Sequence, residues 1–218
     1  MLITYYGHSC FKIQTKPKRG DQDVTIYLDP FDKSVGLKPP QGKADIVLSS
    51  HSHSDHSNTQ GLREGFFLVD APGEYTLQGI SIIGLESFHD DQKGALRGRN
   101  TIFIIESEGM RVCHLGDLGH PLSEEQVEEI GDIDILMIPV GGTYTIDAQT
   151  AQKISAHIEP SVIIPMHYKM KDSTIDVADE KEFLSLFGAE GKQVETKLNL
   201  KKKDTDEKEN HIILMGIE

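Results

Sequence analysis

His51-Ser52-His53-Ser54-Asp55-His56 places three imidazoles and a carboxylate within six consecutive positions. Imidazole nitrogen and carboxylate oxygen are the donors that borderline divalent metals such as zinc prefer. The run follows Ala44-Asp45-Ile46-Val47-Leu48-Ser49-Ser50, which has the length and β-branched content of a buried strand. In an extended segment, residues two apart point the same way, so His51 and His53 are expected to aim at one point. A turn after them would aim Asp55 and His56 at a second point nearby. The run lies at neither terminus and is not a homopolymer, which sets it apart from an affinity tag. As a polar loop without a metal, so dense a set of Asp and His behind a buried strand would be costly. The element points to metal binding and leaves the reaction open.

A two-metal site needs more donors, and strand ends are where they are expected. His89 follows the apolar run from Ile80 to Phe88. Asp117 follows Val112-Cys113-His114-Leu115-Gly116, with His120 in the next turn. His167 follows Val162-Ile163-Ile164-Pro165-Met166. A lone histidine after a strand is usually a satisfied surface or core residue, but three such ends in a chain that already carries the 51–56 run favour ligands. His114 falls inside a strand pattern and reads as structural.

The elements that must position these residues follow from hydrophobic periodicity. Strands are expected at 2–6, 11–15, 24–28, 46–50, 66–69, 80–84, 101–107, 111–115, 135–140, 161–165, 194–200 and 211–216, with Glu108-Gly109 as a tight hairpin turn. Ser123 with Gln126 forms a capping-box pattern that opens one helix. Asp147 caps a second, with Ala148, Ala151, Ile154 and Ile158 on one face. A third is expected from Asp179 to Phe187, stopping at Gly188. Many early strands, then strands alternating with helices, suggest packed sheets with helices outside.

The bulk numbers bound the rest. The chain has 218 residues, enough for one domain with a substantial core, and 26% are charged. No apolar stretch approaches the ~20 residues that span a bilayer. The first residues lack the basic and apolar regions of a signal peptide. Cys10 and Cys113 each sit beside apolar residues and read as buried free thiols, which suggests a cytoplasmic protein. The net charge of −13 disfavours a nucleic-acid partner. Lys201-Lys202-Lys203, followed at once by acidic residues, reads as a solvated hairpin tip.

These pieces together resemble the metallo-β-lactamase superfamily of metal-dependent hydrolases. The resemblance runs through Tyr27-Leu28-Asp29-Pro30, the 51–56 element, Phe88-His89-Asp90, Leu115-Gly116-Asp117 and Pro165-Met166-His167-Tyr168. Tyr6-Gly7-His8-Ser9, Pro72-Gly73-Glu74-Tyr75, Gly116-Asp117-Leu118-Gly119-His120 and Pro139-Val140-Gly141-Gly142 are similar to the branch of ascorbate-6-phosphate lactonases and relatives of N-acylphosphatidylethanolamine phospholipase D. The resemblance implies one α/β domain over residues 1–218, a four-layer αββα sandwich of two mixed sheets with helices on the outer faces.

It also implies a site. His51, His53 and His89 would bind one metal; Asp55, His56 and His167 would bind a second; Asp117 would bridge them. Asp29 would hydrogen-bond the ligand loop without touching metal. Phe88 stands where a glycine often precedes the third-motif histidine. Two divalent ions ~3.5–4 Å apart can lower the pKa of a shared water toward ~7, supplying a hydroxide at neutral pH for attack on a carbonyl carbon or a phosphorus. Zinc suits these donors best, and manganese, iron or nickel occupy similar sites.

Asp55 and Asp117 are the expected catalytic carboxylates, and His120 is placed to protonate a leaving group. Its other reading is a hydrogen-bonded turn histidine. His8, Arg97, Arg99 and Tyr144 are expected near the pocket, with the arginines able to clamp a phosphate or carboxylate or to sit solvated in their loop. The expected activity is hydrolysis of a small anionic ester, lactone or phosphodiester. A nucleic-acid phosphodiesterase and a non-catalytic metal-binding protein with the same fold are the alternatives. A homo-oligomer stays open.

Overall fold

The computed structural model describes residues 1–17, 22–189, 193–194, 196–206 and 209–218. In chain order the first strands are β1 (Leu2–Gly7), β2 (Cys10–Thr15), β3 (Val24–Leu28), β4 (Gly42–Lys43) and β5 (Ile46–Leu48). One turn of helix, α1 (Ser54–Ser57), precedes β6 (Leu62–Arg63), β7 (Phe67–Val69), β8 (Gly73–Leu77), β9 (Ile80–Phe88), β10 (Arg99–Ser107) and β11 (Met110–His114). Helices then alternate with strands: α2 (Glu124–Ile130), β12 (Ile135–Pro139), α3 (Ala148–Ile158), β13 (Val162–Met166) and α4 (Lys181–Leu186). The chain ends through β14 (Gln193–Val194), β15 (Lys197–Asn199), α5 (Lys202–Asp206), β16 (His211–Ile212) and β17 (Leu214–Met215).

Two mixed sheets form, in the orders β15-β1-β2-β3-β5-β7 and β16-β13-β12-β11-β10-β9-β8. In the first, β3, β5 and β7 run parallel and the rest antiparallel. In the second, β8 to β11 form an antiparallel meander and β11, β12, β13 and β16 run parallel.

Strand alternation builds the layers. Along β10, Phe103 and Ile105 face the first sheet, whereas Ile102 and Ile104 face the helices; along β12, Ile135 and Met137 part from Leu136 and Ile138 in the same way. Ile3, Phe11, Ile13, Ile26 and Leu28 meet the inward residues of the second sheet, all fully buried. Each such side chain contributes about 1.5–3 kcal/mol of transfer free energy. The second core seats Ala151, Ile154, Ile158 and Phe183 of α3 and α4 against the outer face of that sheet.

The sandwich matches the expected architecture, with one outer layer much thinner than the other. The outer face of the first sheet, carrying Tyr6, Cys10, Tyr27 and Val47, is covered by Phe31, Val35, Leu37 and Leu62 from loops, a single 3₁₀ turn at Lys33–Val35 and the short β4/β6 pair. That crossing packs apolar side chains without helical periodicity, so no helix signal precedes it.

Several elements differ in detail from expectation. The strand expected at 46–50 ends at Leu48; the chain bends through His51 and His53, with His53 keeping extended dihedrals at φ −65° and ψ 145° before α1 begins. The strand at 80–84 continues to Phe88, which carries it to the edge of the site. The strand β8 holds Glu74 of the Pro72-Gly73-Glu74-Tyr75 motif. The strand expected at 194–200 is cut short, with residue 195 outside the described residues. Lys201-Lys202-Lys203 is not a hairpin tip. Lys202 opens α5 and donates to Asp134 Oδ1 at 2.7 Å, while Thr205 Oγ1 donates to the same oxygen at 2.8 Å. The capping box of α2 and the Asp147 cap of α3 form as expected. Glu108 and Gly109, with φ of 55° and 77°, make the hairpin turn between β10 and β11. Among the described residues, no helix is long and apolar enough to cross a membrane.

Candidate metal centre

Three strand ends converge on the loop after β5. That loop carries His51 and His53 and then α1, whose first turn holds Asp55 and His56. His89 follows β9, Asp117 follows β11, and His167 follows β13. The structure therefore brings together His51, His53, Asp55, His56, His89, Asp117 and His167.

The Asp117 carboxylate lies at the centre. Its Oδ2 is 3.2 Å from Nε2 of His56, of His89 and of His167. On one side His51, His53 and His89 bring their donor atoms within 4.8 Å of one another; on the other, His8, His56 and His167 do the same. His8 Nε2 lies 2.9 Å from His56 Nε2 and 3.2 Å from Asp55 Oδ2, so His8 belongs to the donor set itself and not only to the pocket around it.

Behind the donors is a scaffold that aims them. Asp29, fully buried at the end of β3, accepts from Ser50 N at 2.7 Å and Ser50 Oγ at 2.6 Å. Its Oδ2 is 2.9 Å from His56 Nδ1. A carboxylate there holds a proton on Nδ1 and leaves Nε2, which faces Asp117 and His8, as the atom that would bind a cation in place of its proton. Ser50 Oγ also contacts His51 Nδ1 at 3.0 Å, leaving Nε2 as the free donor of His51. Asn100 accepts from Asp117 N at 2.9 Å and donates to Leu115 O and Ser87 Oγ, locking the Asp117 loop to β9 and β10. His114, inside β11, faces Ser9 O with Nε2 at 2.9 Å and accepts from Gly116 N at 3.1 Å, so it ties the His8 turn to the Asp117 loop.

The backbone is strained where it serves this site. His8, Asp29 and His167 have φ of 57°, 44° and 52° without being glycine. Such residues are uncommon and persist where surrounding contacts hold them. His8 O accepts from His167 N and from Tyr5 Oη, both at 2.8 Å, which pins two of the three turns to each other. Gly119 and Gly141 are required by close approach. A Cβ on Gly119 would collide with the backbone of His89 and Asp90, and one on Gly141 with the carbonyl of His167.

Charge follows from this packing. Burial disfavours a charged His56, yet the Asp117 and Asp29 carboxylates override it and hold His56 well above the usual imidazole range. Burial would raise Asp117, but His167 and His56 hold it well below the usual carboxylate range. Asp29 and Asp55 are lowered against their burial by His56 and by His8, respectively. His8 and His51, where burial dominates, are pushed down to about 4 and about 3.

The residues fit a divalent ion. His51 Nε2, His89 Nδ1 and His167 Nδ1 are buried without a hydrogen-bond partner among the described residues. Paired nitrogens such as those of His8 and His56 satisfy each other poorly unless a proton or a cation lies with them. The donors are all imidazole and carboxylate, the set that suits zinc and its neighbours.

A cavity of about 380 Å³ opens onto the centre. His53, Asp55, His89, Asp117 and His167 form its floor, and Arg97, Tyr144, Thr174, Ile175 and Asp176 its walls. The structure does not bring every expected residue here. His120 is not among the lining residues: Nε2 accepts from Phe88 N at 3.2 Å and Nδ1 faces Pro121 O at 2.8 Å, so its ring stitches two turns together. Arg99 points to Glu86 on the exposed surface at 3.5 Å. Thr174, Ile175, Asp176, Asn100 and Asp90 were missed; for Asp90 alone, adjacency to His89 was a signal.

Residues 2–167 match the family model described as β-lactamase superfamily domain. A UPF0173 metal-dependent hydrolase of Thermoplasma acidophilum is 28% identical, covering 89% of this chain and 94% of its own. A second protein of that name, from a Geobacillus strain, is 28% identical over 77% of this chain and 85% of its own. Among solved structures, a candidate zinc-dependent hydrolase of the metallo-β-lactamase superfamily from Thermotoga maritima is 40% identical and superposes with a TM-score of 0.80, covering 98% of this chain and 97% of that one.

Proposed function

The chain belongs to the metallo-β-lactamase superfamily and is a metal-dependent hydrolase, and from that premise we propose that it cleaves a small ester, lactone or phosphodiester at a two-metal centre. His51, His53 and His89 would hold one ion. Asp55, His56 and His167, with His8 beside them, would hold the other, and Asp117 would bridge the pair. The observation that carries this reading is the Asp117 carboxylate, whose Oδ2 stands 3.2 Å from three histidines drawn from both donor groups. A single carboxylate oxygen shared that way suits a bridge between two cations. The lactonase-like branch is proposed on the same motifs that suggested it in the sequence, the Tyr6-Gly7-His8-Ser9 turn among them.

When bound, such ions acidify water toward neutral pKa and polarise the group under attack. The chain's own residues do the rest. Asp29 and Ser50 fix the rings of His56 and His51. Asp55 lines the cavity with a carboxylate turned toward His8, where it can take a proton from water and return it to the leaving group. His120 is assigned to turn geometry instead. The cavity of about 380 Å³ suits a small substrate. The free, buried Cys10 and Cys113 support a reducing, cytoplasmic setting.

The test combines metal analysis with a substrate panel. Two equivalents of metal per chain, and cleavage of a lactone, aryl ester or bis-aryl phosphodiester that Asp117→Ala abolishes, are expected. One tightly bound ion in a fully active enzyme would refute the dinuclear reading.

A further inference from the structure

Among the described residues that form the cavity wall, one carries a guanidinium. Arg97 lines that wall. Among the described residues it has no ion-pair partner, although the protein carries a net charge of −13 and Arg99 and Arg111 are paired with Glu86 and Glu106. An unpaired guanidinium presents a planar fork of donors matched to two oxygens of a carboxylate or phosphate.

Its position is built rather than incidental. Asp90, directly after His89 and itself buried, accepts backbone N–H bonds from Gln92 and Gly94 at 2.8 Å, Leu96 at 2.9 Å and Arg97 at 2.7 Å. The His89 N–H donates to Gly98 O at 3.0 Å, closing the same loop. The arginine is thereby fixed to the backbone that presents a metal-site histidine. Across the cavity, its Nη2 donates to Thr143 O at 3.2 Å and its guanidinium lies 5.6 Å from the Tyr144 ring centroid. Thr143 sits at φ 59° directly after Gly142 at φ 63°. A β-branched residue in that region is a genuine outlier, and here its carbonyl is the one that orients Arg97. Two of the five guanidinium donors suffice for a bidentate grip, so the one bond to Thr143 can remain.

We propose that Arg97 is the specificity-determining cation of this hydrolase, gripping an oxyanion that the substrate carries away from the bond to be broken. Tyr144 sets the plane of the guanidinium, and Asp90 is the positioning residue that fixes the loop. The shared chemistry is a carboxylate or a phosphate group, and the assignment rests on the reading of the cavity floor as the metal centre. Arg99, two residues on and paired with Glu86, has no part in it.

The test uses metal-loaded enzyme and two aryl esters of similar length, mono-p-nitrophenyl glutarate, which ends in a carboxylate, and neutral p-nitrophenyl valerate. In Arg97→Met, the ratio of kcat/KM for the anionic over the neutral ester is expected to fall about ten- to hundredfold, mainly through KM. Arg97→Lys keeps a point charge without the fork and is expected to recover part of that ratio. Asp90→Asn is expected to lower the same ratio, again through KM rather than kcat. Calorimetric titration supplies a readout independent of turnover. Glutarate and inorganic phosphate should each bind the wild type, with glutaramide as the neutral control, and Arg97→Met at equal metal content should lose about tenfold or more in affinity for whichever anion the fork accepts. An unchanged ratio together with unchanged anion affinity in Arg97→Met, or a wild type that binds neither anion, overturns the proposal. A wild type that cleaves no ester but binds an anion through Arg97 would sink the ester-hydrolase reading and leave this one standing.

Discussion

Replacing Asp29 by Asn tests whether a residue that touches no metal decides how well metal is held. The carboxylate accepts three hydrogen bonds, from Ser50 N, Ser50 Oγ and the Nδ1 side of His56, at 2.7, 2.6 and 2.9 Å. An asparagine has one acceptor oxygen and one donor nitrogen. Ser50 N can only donate, so the amide oxygen must stay with it. The amide NH₂ then faces Ser50 Oγ and His56 Nδ1. The hydroxyl can reverse its role by rotating, and the imidazole can reverse only by moving its proton to Nε2. That is the atom facing Asp117, His8 and the cation. Folding should therefore survive while metal binding does not. Loss of such a partner behind a ligating histidine costs about 10–100-fold in metal affinity, which is about 1.4–2.7 kcal/mol.

The alanine variant should behave differently. It leaves Ser50 N–H and His56 Nδ1–H unpaired in a fully buried site, at a cost of about 3–5 kcal/mol in folding stability. The assay is competition for zinc against a chromophoric chelator, run beside thermal unfolding with and without metal. Asp29→Asn should show near-native melting without metal and a smaller rise on adding it. If zinc affinity stays within about threefold of wild type, the carboxylate is not setting the His56 tautomer and the argument is wrong.

Other outcomes are expected from the same geometry. Gly119→Ala forces a Cβ into the backbone of His89 and Asp90, so it should destabilise the fold by about 1–3 kcal/mol and lower metal occupancy, as read by denaturant unfolding and elemental analysis. Asp134 is held below its usual pKa, against its burial, by Lys202, Arg111 N and Thr205. The stability it contributes is present above the unfolded value of about 3.9 and is lost as pH falls through the lowered one; urea midpoints of wild type and Asp134→Asn should differ at pH 7 and converge as the pH drops through that window. Chelation should lower the melting temperature in proportion to the logarithm of free metal over Kd, and a melting curve indifferent to chelator would contradict a preformed metal centre.

What the chain discloses before folding depends on how local the governing interaction is. The strands were legible because the signal is local: the short apolar run Ile102-Phe103-Ile104-Ile105, bounded by polar residues, announces a strand buried on both faces whatever lies on either side. The donors were legible because strand ends are where a sheet presents side chains, and His89, Asp117 and His167 each follow an apolar run. The layer over the first sheet was not, since Phe31, Val35 and Leu37 pack from loops with no period to detect.

The contrast between His120 and His8 shows the limit most sharply. His120 stands three residues from Asp117, yet both its ring nitrogens are engaged by backbone atoms at Phe88 and Pro121. His8 stands over a hundred residues away, and its Nε2 lies within 3.2 Å of both Asp55 and His56. What separates them is the left-handed turn at His8, which needs Tyr5 Oη and His167 N on its carbonyl to hold it. Both supports come from tertiary structure or from a turn whose conformation no residue pattern specifies. The donors could be named from the sequence, but the strained turns that brace one another could not, and the same interdependence predicts that His8, Asp29 and His167 gain their geometry together rather than one by one.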